Sequence, residues 1–291
     1  GNLVRFLGAD GAERWGLLAE EGAGSARRAR TLRPGRCEPA ALGDPGAFTG
    51  EEVEVHQVLA PLPVDPAPAV VIIGLNYVSH AKETGQDLPK FPVFAYKSPA
   101  SVVGPGVPIS IPAVARQKPE VDFEGELAVV IGRHTRDVSE EDALGAVLGV
   151  TAANDVSARR WQGKKGGGQW SRAKSFDTFC PLGPTLLPLG GRASEAARAL
   201  GPGGPGLRLR SVVNGEVMQD GNTSDMSFGV AALVSYLSQG TTLLPGTVIL
   251  TGTPPGVGYV RKPPRYLAEG DRVEVLLDGA GTLASPVENG P

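Results

Sequence analysis

Three acidic side chains crowd the stretch Asp122-Phe123-Glu124-Gly125-Glu126, and Leu127-Ala128-Val129-Val130-Ile131 follows at once. Side chains alternate along a strand, so residues 122, 124 and 126 are expected on one face. Like charges placed there raise one another's pKa and oppose strand pairing. A hard divalent cation relieves both, and carboxylates are the donors that Mg²⁺ and Mn²⁺ prefer. A solvated edge face accommodates the same residues without a metal. Asp155, in Asn154-Asp155-Val156-Ser157-Ala158-Arg159, is a further candidate ligand at the end of an expected strand. A helix N-cap or a local ion pair explains that position equally well.

His80 and Glu83 are spaced i, i+3 within an expected helix, Tyr77 to Thr84, which places them on one face. A carboxylate beside an imidazole raises its basicity and fixes its tautomer, as a general base requires. An ordinary surface His–Glu pair has the same spacing. Residues Arg159 to Lys174 hold six basic side chains and no acidic one, with Trp161, Gln162, Gln169 and Trp170 interleaved. This Gly-rich stretch reads as a loop that receives an anion or is simply solvated. Thr251-Gly252-Thr253-Pro254-Pro255-Gly256-Val257-Gly258 reads as a loop exposing backbone N–H groups and hydroxyls, suited to a carboxylate. No G-x-S-x-G, H-E-x-x-H or C-x-x-C pattern occurs, so serine hydrolase, zincin and thioredoxin chemistries lack support.

The elements that must position these groups are short. The chain has 291 residues, with 41 Gly and 26 Pro and no collagen-like period, so many turns must separate brief strands. Strands are expected at Val70 to Ile73, Leu127 to Ile131, Val150 to Ala153, Thr247 to Thr251 and Arg272 to Leu277, and a hairpin around Asn214-Gly215. Asn76 is expected to cap the Tyr77 helix and Gly85 to stop it. Further helices are expected over Ser25 to Arg33, Ser139 to Leu148 and Phe228 to Leu237. The class is β-rich α+β, with a small N-terminal β-containing lobe and Pro-rich linker over residues 1–66 and a catalytic domain over 67–291. The formal charge of −3 argues against a nucleic-acid partner, and no apolar run reaches membrane-spanning length. Two cysteines, Cys37 and Cys180, make no disulfide framework, so a reducing compartment, cytoplasm or mitochondrial matrix, is expected. The chain opens on Gly1, and any targeting peptide is expected to lie outside it.

Five stretches in this order resemble the fumarylacetoacetate hydrolase family: Gly74 to Glu83, Phe123 to Leu127, Asn154 to Arg159, Ala173 to Pro181 and Ile249 to Gly258. They span roughly residues 55–280. The Lys174 stretch and Arg261-Lys262-Pro263-Pro264 look most like the animal branch of domain-containing proteins in that family. The resemblance implies a mixed β-roll catalytic domain, usually a homodimer. It implies Mg²⁺ or Mn²⁺ on Glu124, Glu126 and Asp155, and His80 with Glu83 as the water-activating dyad on a lid. It further implies Lys174 and Gln162 in catalysis, and Arg159, Thr253, Tyr77 and Lys97 in substrate binding. Ile73 stands where fumarylacetoacetate hydrolase proper carries a further acidic ligand, which points away from fumarylacetoacetate and toward small 2-oxo acids.

For such substrates the resemblance implies chemistry through a metal-stabilised enolate. Oxaloacetate enol–keto tautomerisation is the leading expectation. Acylpyruvate C–C hydrolysis is the alternative, with oxaloacetate decarboxylation or a non-catalytic binding role behind it.

Overall fold

The computed structural model describes residues 1–19, 27–35, 45–189 and 200–291. The N-terminal strands are β1 (Leu3–Leu7), β2 (Glu13–Leu18), β3 (Arg28–Leu32), β4 (Phe48–Glu54) and β5 (Gln57–Val58). The middle of the chain supplies β6 (Val70–Gly74), β7 (Val93–Lys97), β8 (Val102–Val103), β9 (Ile109–Ile111), β10 (Val121–Asp122) and β11 (Gly125–Ile131). Then come β12 (Val147–Asn154), β13 (Ser157–Ala158), β14 (Cys180–Pro188), β15 (Arg208–Val213), β16 (Glu216–Asn222), β17 (Val248–Leu250), β18 (Arg272–Leu277) and β19 (Gly281–Asn289). The helices are α1 (Val78–Thr84), α2 (Ala113–Arg116), α3 (Arg159–Gln162), α4 (Trp170–Lys174) and α5 (Val230–Ser238).

One large mixed sheet runs β4-β3-β2-β1-β14-β12-β11-β17-β6-β7, with β5 on β1 and β8 on β14. A second sheet runs β16-β15-β18-β19-β9, and β10 pairs β13 by itself. The β-rich α+β class is therefore the one observed. β11 shows why the centre is stable. Its odd residues Leu127, Val129 and Ile131 join α5 and the inner faces of β15, β18 and β19 in one core. Its even residues Ala128 and Val130 pack on the opposite side, against Leu250 and Leu182 in one cluster and Leu148 and Leu186 in another. A strand covered on both faces reads as a continuous apolar run. The N-terminal strands extend this same sheet through β1 on β14, Leu3 opposite Leu186.

The hairpin at Asn214-Gly215 forms as expected. Both central residues have positive φ, 52° and 83°, the geometry whose twist matches the flanking strands. Gly85, at φ 64°, ends α1 in the left-handed region. Leu127 to Ile131 and three of the other expected strands lie within β11, β6, β12 and β18, while the expected Thr247 to Thr251 strand is shortened by one residue at each end to β17.

Four expectations are corrected. The described part of the Ser25 to Arg33 helix is the strand β3, paired with β2 and β4. Ala29 and Thr31 are buried while Arg28 and Arg30 are exposed, a period of two that the count of arginines obscured. Ser139 to Leu148 is not a helix. Ser139 Oγ does accept from the Asp142 N–H, but only a 3₁₀ turn, Ala143–Ala146, follows before the chain enters β12. Pairing with β11 and β14 takes Val147 onward into the doubly covered sheet. Residues 159–174 are not a loop but α3, a 3₁₀ turn and α4. Finally, Asn76 does not cap α1, as described below.

Candidate active site

The stretch from Asp122 to Glu126 is not one continuous strand. β10 ends at Asp122 and β11 begins at Gly125, so the three acids do not share one face. Asp122 turns away from the other two. Its oxygens accept from Arg159 Nε (2.8 Å) and from the N–H groups of Phe123, Gly258 and Tyr259. Glu124 and Glu126 instead meet Asp155, which leaves β12 directly beside them. Donor oxygens of all three lie within 4.8 Å of one another, and all three residues are buried. Local bonds fix this meeting: the Asp155 N–H donates to the Glu124 carbonyl (2.8 Å), and the Glu124 N–H donates to Asn154 Oδ1 (3.1 Å). Gly125 has to be glycine, because a Cβ there would lie 2.1 Å from Ser211 Oγ.

Two buried lysines and the partly buried Arg159 face the triad. Lys174 Nζ donates to Glu124 Oε2 (2.7 Å) and Asp155 Oδ2 (2.5 Å), and Lys97 Nζ donates to Asp155 Oδ1 (2.6 Å) and the Val156 carbonyl. Arg159 Nη1 lies 2.6 Å from Glu124 Oε1 and donates to Gln162 Oε1. Arg159 Nη2 is buried without a partner. The carboxyls respond unequally. Burial raises that of Glu124, but Arg159 and Lys174 outweigh it and hold it low. Burial, then Asp155 and Glu124, push the Glu126 carboxyl well up; the Gly252 N–H, 2.7 Å from Oε2, offsets little of this. A buried acid left high by its neighbours' charge is what a divalent cation would relieve, so these residues fit a metal ion. Burial lowers Lys174 but the surrounding carboxylates raise it more, so its ammonium form is favoured.

His80 and Glu83 come together on α1, Nδ1 to Oε2 at 2.9 Å. Glu83 also accepts from the Gly256 N–H. Asn76, expected as the cap, bridges to the core instead: its amide donates to the Phe228 and Thr251 carbonyls and accepts from the Phe228 N–H. Asp225 takes over at the helix start, accepting from the Ser79 N–H at 3.0 Å and from Ser79 Oγ. The helix is thus pinned at both ends, over the cavity.

That cavity, about 330 Å³, is lined by His80, Glu124, Glu126, Asp155, Arg159, Gln162, Lys174 and Thr253, with Ile72, Ile73, Trp170 and Tyr259 as further walls. Thr253 Oγ1 is already engaged, donating to the Gly125 carbonyl and accepting from Gln219 Nε2. Lys97 and Tyr77 do not line the cavity. Lys97 stands behind Asp155, and Tyr77 is fully buried in the main core. One organising residue, Gln219, carries no sequence signal, and another, Asp122, takes a role other than the one expected. Gln219 bonds Gly125, Ser211, Thr253 and Pro254, joining the triad strand to the 251–258 loop, and Asp122 sets Arg159. Gln219 lies mid-strand in β16 and Asp122 at the end of β10, and the partners that define their roles are remote in the chain, so spacing carried no signal for them.

A β-rich fold that gathers buried carboxylates, buried cations and a His–Glu pair around one cavity defines an enzyme site for acid–base chemistry on a small anion. The chain belongs to the fumarylacetoacetate hydrolase family: the model of the fumarylacetoacetate hydrolase C-terminal region matches residues 69–288. It is 45% identical over 225 residues to the mitochondrial oxaloacetate tautomerase fahd2 of Xenopus laevis, covering 77% of this chain and 67% of that protein. The solved 5-carboxymethyl-2-hydroxymuconate delta-isomerase of Mycobacterium smegmatis is 36% identical, with full coverage of both chains and a TM-score of 0.80. The 2-hydroxyhepta-2,4-diene-1,7-dioate isomerase of Mycobacterium marinum is 39% identical, covering 99% of this chain and 98% of its own, with a TM-score of 0.79. The chain is accordingly an enzyme of the tautomerase, isomerase or hydrolase kind. Among the described residues no helix is long and apolar enough to cross a membrane.

Proposed function

We propose that the chain is an oxaloacetate enol–keto tautomerase working with Mg²⁺ or Mn²⁺. The observation that carries this is the buried Glu124, Glu126 and Asp155 triad opening, beside Lys174, Arg159 and His80, into one small cavity. The name of the Xenopus relative supports the substrate.

Glu124, Glu126 and Asp155 would hold the divalent cation, which would supply Lewis acidity toward the 2-oxo acid. The chain's own residues do the rest. Arg159, fixed through Nε by Asp122, has its buried Nη2 unspent and offers it to a substrate carboxylate. Gln162, bonded to Arg159, offers its amide N–H groups to the same anion. Lys174 places positive charge where the 2-oxygen becomes anionic as the enol hydroxyl loses its proton. Glu83 occupies His80 Nδ1, which leaves Nε2 to take the enol hydroxyl proton and return it at C3, so that His80 ends as it began. One O–H bond is broken and one C–H bond is formed, with no water consumed.

A second reading, acylpyruvate C–C hydrolysis, is favoured by that His80–Glu83 pair, which is equally suited to take a proton from water. Two measurements separate them. With Mg²⁺, the tautomerase accelerates decay of the oxaloacetate enol absorbance and leaves acetylpyruvate intact by proton NMR. Metal-dependent acetate release from acetylpyruvate overturns the first reading in favour of the second.

We take the working unit to be a homodimer. Phe91, Val93, Phe94 and Tyr96 are exposed on and beside β7, an end strand of the large sheet, which supports this. Residues 1–66 are assigned to a structural lobe and 67–291 to catalysis. The compartment is taken as the mitochondrial matrix or cytoplasm, in keeping with the relative's mitochondrial name and with Cys180 as a free thiol; Cys37 lies outside the described residues.

A further inference from the structure

The cavity has unlike walls. The triad, Lys174, Arg159 and Gln162 are polar and take the 2-oxo acid head. Leu75, the end of β6 and the indole of Trp170 complete the lining. Trp170 and Lys174 are four residues apart on α4, so one helix face supplies both a wall and the cation beside the head. Two serines hold that helix against the sheet: Ser171 Oγ accepts from the Tyr96 N–H (3.3 Å) and Ser175 Oγ from the Ser98 N–H (2.8 Å). The indole then lies directly on Gly74, the last residue of β6. A Cβ on Gly74 would fall 2.4 Å from Trp170 Cζ3 and 2.7 Å from Cη2.

We propose that Trp170, seated on Gly74, is the specificity-determining wall that limits the group beyond C3 of the substrate to a short one. This rests on the placement of the 2-oxo acid head given above. Gly74 has no side chain because the indole occupies that space, and the indole so seated lines the cavity. A larger acyl or alkyl tail meets a ring that the strand behind it prevents from retreating. A misfit of even one methylene against such a wall is worth about 10-fold or more in selectivity.

The test uses binding, so it does not depend on which reaction the site performs. Oxalate and a series of N-alkyl oxamates of increasing chain length are titrated calorimetrically into the Mg²⁺-loaded enzyme. Oxalate probes the head alone, and the alkyl group stands in for the tail. The wild type is expected to lose affinity about 10-fold once the tail exceeds two or three carbons. W170A is expected to abolish that loss while keeping oxalate affinity within about 2-fold, and W170F to be intermediate. G74A alone is expected to disturb the tail profile, and G74A in the W170A background to have no effect, since the ring it displaces is gone. A tail profile unchanged in both W170A and W170F overturns the proposal, as does an effect of G74A that persists without the indole. Failure of the wild type to bind oxalate in the presence of Mg²⁺ overturns instead the placement of the head, and the proposal with it. W170F keeps an aromatic ring in the helix, so it decides the question if W170A does not fold.

Discussion

Glu126 is the residue on which the electrostatics of the site turn. Its neighbours Glu124 and Asp155 have lysine and arginine partners, whereas Glu126 has the Gly252 N–H. Its carboxyl is held high by burial and by those two anions. A carboxyl whose folded pKa is raised favours the folded state most fully below the ordinary carboxylate pKa, and that contribution is lost as pH rises through the raised value. Metal binding at this carboxyl is therefore expected to be accompanied by proton release. Titration with Mg²⁺ or Mn²⁺ in buffers of different ionisation enthalpy is expected to show proton release that shrinks as pH rises. Glu126→Gln is expected to remove both this release and the metal-induced rise in Tm, to raise the Tm of the metal-free protein at neutral pH, and to cut enol decay by at least about 100-fold. Cys180 behaves in the opposite way to a reactive thiol. Burial pushes it up to about 12, and it lies in an apolar cluster with Leu182 and Leu250. Its thiol is expected to resist alkylation in the folded protein and to react at the ordinary rate only in denaturant.

At the scale of elements, the site is a junction of strand ends. β11 brings Glu126, β12 delivers Asp155, and the loop after β17 closes over them through Gly252 and Thr253. The approach of β15 to β11 is what demands glycine between the two glutamates. Gly125→Ala forces its methyl against Ser211 Oγ and the hydrogen bonds of Gln219, and is expected to cost about 1–3 kcal/mol by overpacking. Chemical denaturation checks this, and G125A/S211A is expected to recover part of the loss because the clashing oxygen is gone. The hairpin, the stop of α1 and the apolar run of β11 follow from neighbours in the chain, so they were readable there. β3 and the entry to β12 were not. Each depends on flanking strands, and the local signals at those places, clustered arginines and a Ser-x-x-Asp turn, favour a helix only while no sheet is available to pair with.

For the whole molecule, the exposed aromatic surface of β7, an end strand of the large sheet, is the open feature. Phe94 and Tyr96 stack edge to face at 5.9 Å on β7, with Phe91 67% exposed beside them. Natural sheets seldom leave such an edge uncovered. Phe94→Glu is expected to convert a dimer into a monomer in sedimentation velocity at micromolar concentration. Because α4 is fastened to β7 through Ser171 and Ser175, the same substitution is expected to weaken substrate binding more than it lowers turnover. A wild-type protein that sediments as a single chain removes the dimer from the account.

What the amino-acid order determined is whatever depends on short range and side-chain chemistry. This covers the β-rich class, the left-handed turn at Asn214-Gly215, the His80–Glu83 pair one helical turn apart, and a stock of carboxylates and cations suited to a metal and an anion. What only the tertiary structure decided is how that stock is shared out. Asp122 left the acidic row to hold Arg159, Lys97 went behind Asp155, Asn76 left the helix start to bridge to Phe228 and Thr251, and Trp170 came to rest on Gly74. Those assignments are made by buried polar groups finding partners far away in the chain. Leaving such a group unsatisfied in a packed interior is costly, but which partner satisfies it is fixed only when the strands are in register.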